Sequence, residues 1–135
     1  MINRRQALQT ALLSLAGAEI SLRADISKRI PLMKQDLEKM DGKNMVASIS
    51  HLEYAPGGSS DAHRHPGYTF VYVLEGALVA KVDDGPEKTY KPGEMFYEAP
   101  MHLHAVSRNA SKTEPVKFLV FRIAEKDAPG SVPAK

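Results

Sequence analysis

Four of the five histidines fall into two His-x-His pairs, His63-Arg64-His65 and His102-Leu103-His104. On an extended strand, residues i and i+2 project from the same face, so each pair can turn two imidazoles into one space. That is a chelating arrangement. Imidazole suits Zn, Fe, Ni or Cu, and ligand softness alone does not choose among them. The chain has no cysteine, which removes disulfides, thiolate ligands and thiol nucleophiles and leaves nitrogen and oxygen to hold any metal. Arg64, between two inward histidines, is expected to point outward to the surface or an interface. His51 shares a strand face with Glu53 and is expected to be exposed.

The elements that must position these pairs read as strands. Nine prolines and nine glycines cut the 135-residue chain into short pieces, and those after residue 44 are rich in Val, Ile, Tyr and Phe. The polar stretch 19–43 contains a short extended piece, "KQDLEKMDGK", with a turn at Asp41-Gly42. The strand "NMVASISHLEY" follows and closes at Pro56-Gly57-Gly58. Further strand signals lie at 62–66, 69–75, 77–82, 87–91, 94–98, 103–108 and 116–124, parted by Pro, Gly and Asp. Asp83-Asp84-Gly85 is a hairpin turn, which explains its two carboxylates without calcium. Many short strands at near-regular spacing make an all-β sandwich or barrel. The tail "EKDAPGSVPAK" has little to bury and is expected to wrap the surface or fray.

In "TFVYVLE", Phe70, Tyr72 and Leu74 point one way and Val71 and Val73 the other, so both faces of that strand need cover. A small barrel covers one face; a second copy of the chain would cover the other, and a homodimer is expected. Tyr68, Tyr72 and Tyr97 are accordingly read as core or interface residues. No apolar stretch reaches the length of a spanning helix, so no membrane span is expected.

Residues 1–18 carry Arg4 and Arg5, an apolar stretch, and the small residues Ala16-Gly17-Ala18, the order of an export signal; the paired arginines resemble a twin-arginine signal. Periplasmic or secreted localisation follows if the signal is cut, and cytoplasmic if the segment is an amphipathic helix instead. All 16 acidic residues lie at or after Glu19, so cleavage after Ala18 would take the formal charge from +2 to 0. The remaining domain, 19–135, has no surplus charge for a phosphate backbone, which argues against a nucleic-acid partner.

The spacing from Gly57 through His63, His65 and Gly76 resembles the first signature of the cupin superfamily: Gly, five residues, His-x-His, three or four residues, Glu, six residues, Gly. Thr69 stands where the glutamate belongs. Gly93, Pro100, His104 and Asn109 resemble the second signature, with the proline and asparagine one residue late and Met101 or His102 in place of its glycine. The likeness spans residues 31–129 and implies a single-domain, type-2 cupin: one jelly-roll β-barrel, a double-stranded β-helix with a short N-terminal extension, commonly dimeric. It implies that His63, His65 and His104 are the ligands of one divalent transition metal per chain (Fe, Mn, Ni, Zn or Cu). With threonine in the carboxylate position, water is expected to complete the shell, leaving the open positions that catalysis needs. His102, beside a proline bend, could substitute as a ligand or act as an acid or base, but reads more simply as a rim residue. Glu94 and Glu98 are possible replacement carboxylates, although glutamates near turns are ordinarily solvated.

The resulting expectation is a metal-dependent enzyme acting on a small organic molecule inside the barrel. Iron would suit dioxygenase chemistry; zinc, nickel or manganese would suit isomerase, lyase or hydrolase chemistry. Its alternative is a non-catalytic cupin module that binds a small molecule or metal. A purely structural metal is the weakest reading, since three ligands leave the shell unfinished. No organic cofactor site and no catalytic side chain stand out.

Overall fold

A computed structural model describes residues 26–135; the expected export signal, residues 1–18, lies outside the described residues. Eleven strands follow in order: β1 Ile26–Asp36, β2 Met45–Tyr54, β3 Ser59–Ser60, β4 His63–Arg64, β5 Tyr68–Glu75, β6 Leu78–Val82, β7 Lys88–Tyr90, β8 Met95–Glu98, β9 Leu103–Asn109, β10 Val116–Glu125 and β11 Val132–Pro133. Among the described residues none forms a helix, and none therefore offers a helix long and apolar enough to cross a membrane.

Two antiparallel sheets make a double-stranded β-helix. One runs β1-β2-β10-β5-β8, the other β11-β4-β9-β6-β7, with β3 also paired to β9. Strand parity sorts the side chains. Val71 and Val73 of β5 meet Leu52, Tyr54, Leu78, Phe96, Val116 and Phe118 in the buried core between the sheets. Phe70, Tyr72 and Leu74 face the other way; Tyr72 and Leu74 are exposed, as are Tyr68, Met95 and Tyr97. The two-faced character of "TFVYVLE" is therefore present, with its outer face open in the single chain.

The ends of the chain differ most from the sequence reading. In place of a short extended piece, β1 is an 11-residue edge strand, registered against β2 from Ile26↔Tyr54 to Asp36↔Val46. Nine of its eleven residues are exposed, as an uncovered edge allows. The expected turn at Asp41-Gly42 is present, with both residues at positive φ. The tail does more than wrap the surface: β11 pairs with β4 through Val132↔Arg64 and Pro133↔His63. Its support is backbone hydrogen bonding, which side-chain hydrophobicity does not register. Pro66 ends β4 after two residues, shorter than the 62–66 strand expected from composition.

Gly76 shows why the first signature ends on glycine. Its φ is 75°, and a Cβ there would lie 2.6 Å from the Pro115 carbonyl oxygen. At the matching position of the second signature's glycine, Met101 keeps a φ of 63° without being glycine.

Candidate metal centre

Three short β segments converge at one end of the core. β4 and β9 pair His63 with His104 in register, which brings the first and second motifs side by side. His65 follows β4, and the rings of His63 and His65 stand edge to face with centroids 4.7 Å apart. The structure thus brings together His63, His65 and His104.

A fourth side chain joins them from β8. Thr69 of β5 is paired directly with Glu98 of β8, and directly opposed residues share a sheet face. The carboxylate absent from position 69 is therefore supplied one strand away. Thr69 is fully buried and donates its hydroxyl to the Gly67 carbonyl at 3.3 Å. Glu98, which the sequence offered only as a possible replacement carboxylate, is thus a fourth ligand-type side chain beside the three histidines. One ligand-type atom from each of His63, His65, Glu98 and His104 lies within 4.8 Å of the others, a group that could hold a metal ion.

The donor chemistry fits a cation. His63 Nδ1 lies 2.7 Å from the Asp61 carbonyl oxygen, and His65 Nδ1 lies 2.7 Å from that of Gly130. A carbonyl only accepts, so both Nδ1 atoms carry the proton and both Nε2 atoms carry lone pairs. Those two Nε2 atoms stand 3.0 Å apart, lone pair against lone pair. A cation held by both lone pairs would relieve that contact. Protonation is the other way to relieve the contact, but burial pushes both imidazoles below their ordinary pKa, outweighing the opposing hydrogen bonds to Asp61 and Gly130.

Glu98 strengthens the case. The residue is 1% exposed. Its Oε1 lies 3.1 Å from His104 Nδ1 and its Oε2 3.9 Å from His65 Nε2, close approaches without hydrogen-bond alignment. Among the described residues neither carboxylate oxygen and neither ring nitrogen of His104 has a hydrogen-bond partner. A buried carboxylate in that condition is costly unless a positive charge sits beside it.

The group faces a cavity of about 560 Å³ between the sheets, walled by Leu52, Val71, Leu78, Phe96 and Phe118 and edged by Arg29 and Arg122. Both arginines were missed in the sequence. The signal for Arg122 was present, a lone charge inside the apolar run "FLVFRI".

The other candidates lie elsewhere. His102 precedes β9, after the positive-φ residue Met101, so the two-residue parity that would align it with His104 is broken. It is exposed on the rim, with Nδ1 2.5 Å from Asp83 Oδ2. The backbone N–H of Leu103, together with His102, holds the Asp83 carboxyl below its usual range. Asp83 therefore anchors a turn, and Gly85 closes it on the Val82 carbonyl. Glu94 accepts a hydrogen bond from the Lys91 backbone N–H at 3.1 Å. His51 is on the outer face of β2, half-buried rather than fully exposed, registered between Ile30 and Leu119. Arg64 points away from the cluster and donates to the carbonyls of Met101 and Ala134. Asn109 is a loop organiser: its amide donates to the Ala55 and Glu114 carbonyls and its oxygen accepts from Ser111 N–H.

Fold and cluster together define a barrel of the cupin type. The chain belongs to the cupin family, whose domain model matches residues 50–122. It is 33% identical over 90 residues to germin-like protein subfamily 2 member 4 of Arabidopsis thaliana, an alignment covering 62% of this chain and 40% of that protein. The chain thus spans well under two thirds of that relative's length. Among solved structures it resembles a conserved protein with a double-stranded β-helix domain from Klebsiella pneumoniae subsp. pneumoniae, with TM-score 0.60 and 20% identity, covering 80% of this chain and 84% of that one. It also resembles the polyketide cyclase RemF of Streptomyces resistomycificus, with TM-score 0.58 and 21% identity, covering 84% and 76%. At these identities the structural likeness establishes the fold.

Proposed function

We propose that the protein is a metal-dependent cupin enzyme in which His63, His65, Glu98 and His104 hold one divalent transition ion and a small organic molecule enters the cavity beside it. The observation that carries this reading is Glu98: a buried carboxylate with two unpartnered oxygens, facing three imidazoles at the end of a ligand-sized cavity. Such an ion would act as a Lewis acid on an oxygen of the bound molecule. The chain's own residues do the rest. The Asp61 and Gly130 carbonyls fix the tautomer and ring orientation of His63 and His65. Phe96, its ring 5.7 Å from that of His104, and the apolar wall exclude water from one side.

The test is the metal content of protein purified without affinity-tag histidines, for the unmodified chain and for His63→Ala, His104→Ala and Glu98→Ala. Stoichiometric metal in the first and loss in the variants is expected. A protein that stays metal-free after exposure to Fe, Mn, Ni, Cu and Zn would refute the reading. Turnover, including oxygen uptake, on phenolic, thiol and sugar-acid panels then separates an enzyme from a binding module.

The outer face of the β1-β2-β10-β5-β8 sheet supports a homodimer. Ile49, Phe70, Tyr72, Met95, Leu119 and Phe121 line an apolar depression of about 260 Å³ there. A monomeric mass at micromolar concentration would exclude it. Export is proposed on the twin-arginine-like segment alone, and replacing Arg4 and Arg5 with lysine should retain the protein in the cytoplasm.

A further inference from the structure

Two arginines that line the cavity stand outside any ion pair among the described residues. Lys43, Arg108, Lys117 and Lys126 each have a carboxylate partner, Glu125, Glu87, Glu75 and Asp36 respectively. Arg29 and Arg122 have no such partner within 4.0 Å among the described residues; Arg64 and several lysines also lack one, but only these two arginines line the cavity.

Their placement follows from register. Arg122 of β10 is opposite both Ser48 of β2 and Thr69 of β5, and Thr69 is opposite Glu98, so these side chains form one row across the inner face of the sheet. Arg29 of β1 is opposite Leu52, an inward residue of β2, and so enters the same space from the edge. Arg122 is half-buried and donates one N–H to the Gly130 carbonyl, the same oxygen that accepts from His65 Nδ1. A guanidinium has five N–H donors in a fixed fork. The rest of that fork is open to a ligand beside His65.

Burial opposes the charge of Arg122, and the nearby Arg29 opposes it further. Arg122 is half-buried and Arg29 is exposed at the cavity edge, and an anion between these two like charges relieves their repulsion. The acidic lining residues, Glu98 and Asp61, equal the two arginines in number, and a divalent ion at the histidine–glutamate group would tip the cavity to the positive side. Guanidinium pairs with carboxylate bidentately, and the remaining wall is apolar.

We propose that the cavity takes an organic acid with an apolar body, its carboxylate gripped by Arg122 with Arg29 closing from the edge, and its body lying along Val71, Phe96 and Phe118. The inference deepens the metal-centre reading and rests on it for the ion beside the carboxylate. The arginine grip itself operates with or without the ion.

Three acid–amide pairs test it: phenylacetate and phenylacetamide, benzoate and benzamide, cyclohexanecarboxylate and its amide. Each is titrated calorimetrically into zinc-loaded protein and into protein stripped with EDTA. At least one acid should bind tenfold or more tighter than its amide in both forms. Arg122→Gln should abolish that preference, Arg122→Lys should keep part of it, and Arg29→Gln should weaken it by two- to fivefold. Comparing acid with amide on the unmodified chain requires no variant to fold. Failure of every acid to outbind its amide, or a preference that survives Arg122→Gln, overturns the proposal. Failure of the metal reading looks different: no zinc is retained, while the stripped protein still prefers acid to amide.

Discussion

Replacing Glu98 with glutamine removes one charge and almost no volume, and the metal reading requires it to move two quantities in opposite directions. Without metal, the native carboxylate is 1% exposed and both its oxygens lack hydrogen-bond partners among the described residues. Relieving an unsatisfied buried group of this kind is worth about 1–3 kcal/mol. In the amide, Nε2–H can donate to His104 Nδ1, which lies 3.1 Å from the present carboxylate oxygen. At about 4 °C per kcal/mol for a domain of this size, Glu98→Gln should raise the unfolding midpoint in EDTA by about 4–12 °C. With metal, the same change deletes one partner of a buried charge pair, a loss of about 3–5 kcal/mol, so affinity should fall by about 10²–10⁴-fold. Differential scanning calorimetry in EDTA gives the first quantity, and competition against a fluorescent chelator gives the second. A variant destabilised in EDTA whose zinc affinity stays within threefold of the unmodified protein would refute the argument, because Glu98 would then be structural.

The Thr69–Glu98 pair predicts a transposition: Thr69→Glu alone crowds a second carboxylate into the core and should cost several kcal/mol in metal-free protein. Combined with Glu98→Thr it should return zinc affinity to within about tenfold of the unmodified chain, measured by the same competition. The depressed pKa values of His63 and His65 set the pH dependence. Unfolded imidazoles near 6.5 bind protons before the folded ones do, so metal-free stability is full above that value and falls as pH drops through it toward the folded pKa. Melting in EDTA between pH 8 and 5 should show this fall, and His63→Gln with His65→Gln should flatten it. Met101→Gly should stabilise the protein by about 1 kcal/mol, since an exposed side chain is given up and a left-handed residue relieved, as denaturant midpoints will show.

The parts of this molecule that were legible in sequence are those governed by local periodicity. Alternation in "TFVYVLE" separated Val71 and Val73 from Phe70, Tyr72 and Leu74 without saying which set faces the core, and the breakers at Gly76, Pro92-Gly93 and Pro100 separate strands where the chain turns. His63 and His104 were legible because motif spacing encodes the pairing of β4 with β9. Glu98 was harder to read. Its part depends on lying opposite Thr69, a cross-strand register no linear spacing records, although an acid in phase with Phe96 was a usable signal. His102 misled for the converse reason: a residue just outside a strand does not obey the strand's parity. Arg29 and β1 were obscured because an edge strand exposed along most of its length carries little apolar alternation.

The tail's bond to His65 bears on how the molecule folds. Gly130 reaches back 65 residues to orient that imidazole, and β11 closes over the two-residue strand carrying His63. Contacts of such sequence separation are entropically expensive to close and tend to form after more local hairpins. The four-residue cluster should therefore be among the last features to assemble, with ion capture following barrel closure rather than guiding it. Zinc would then leave the refolding rate of stripped protein nearly unchanged and slow unfolding instead, making the ion a latch on a finished barrel.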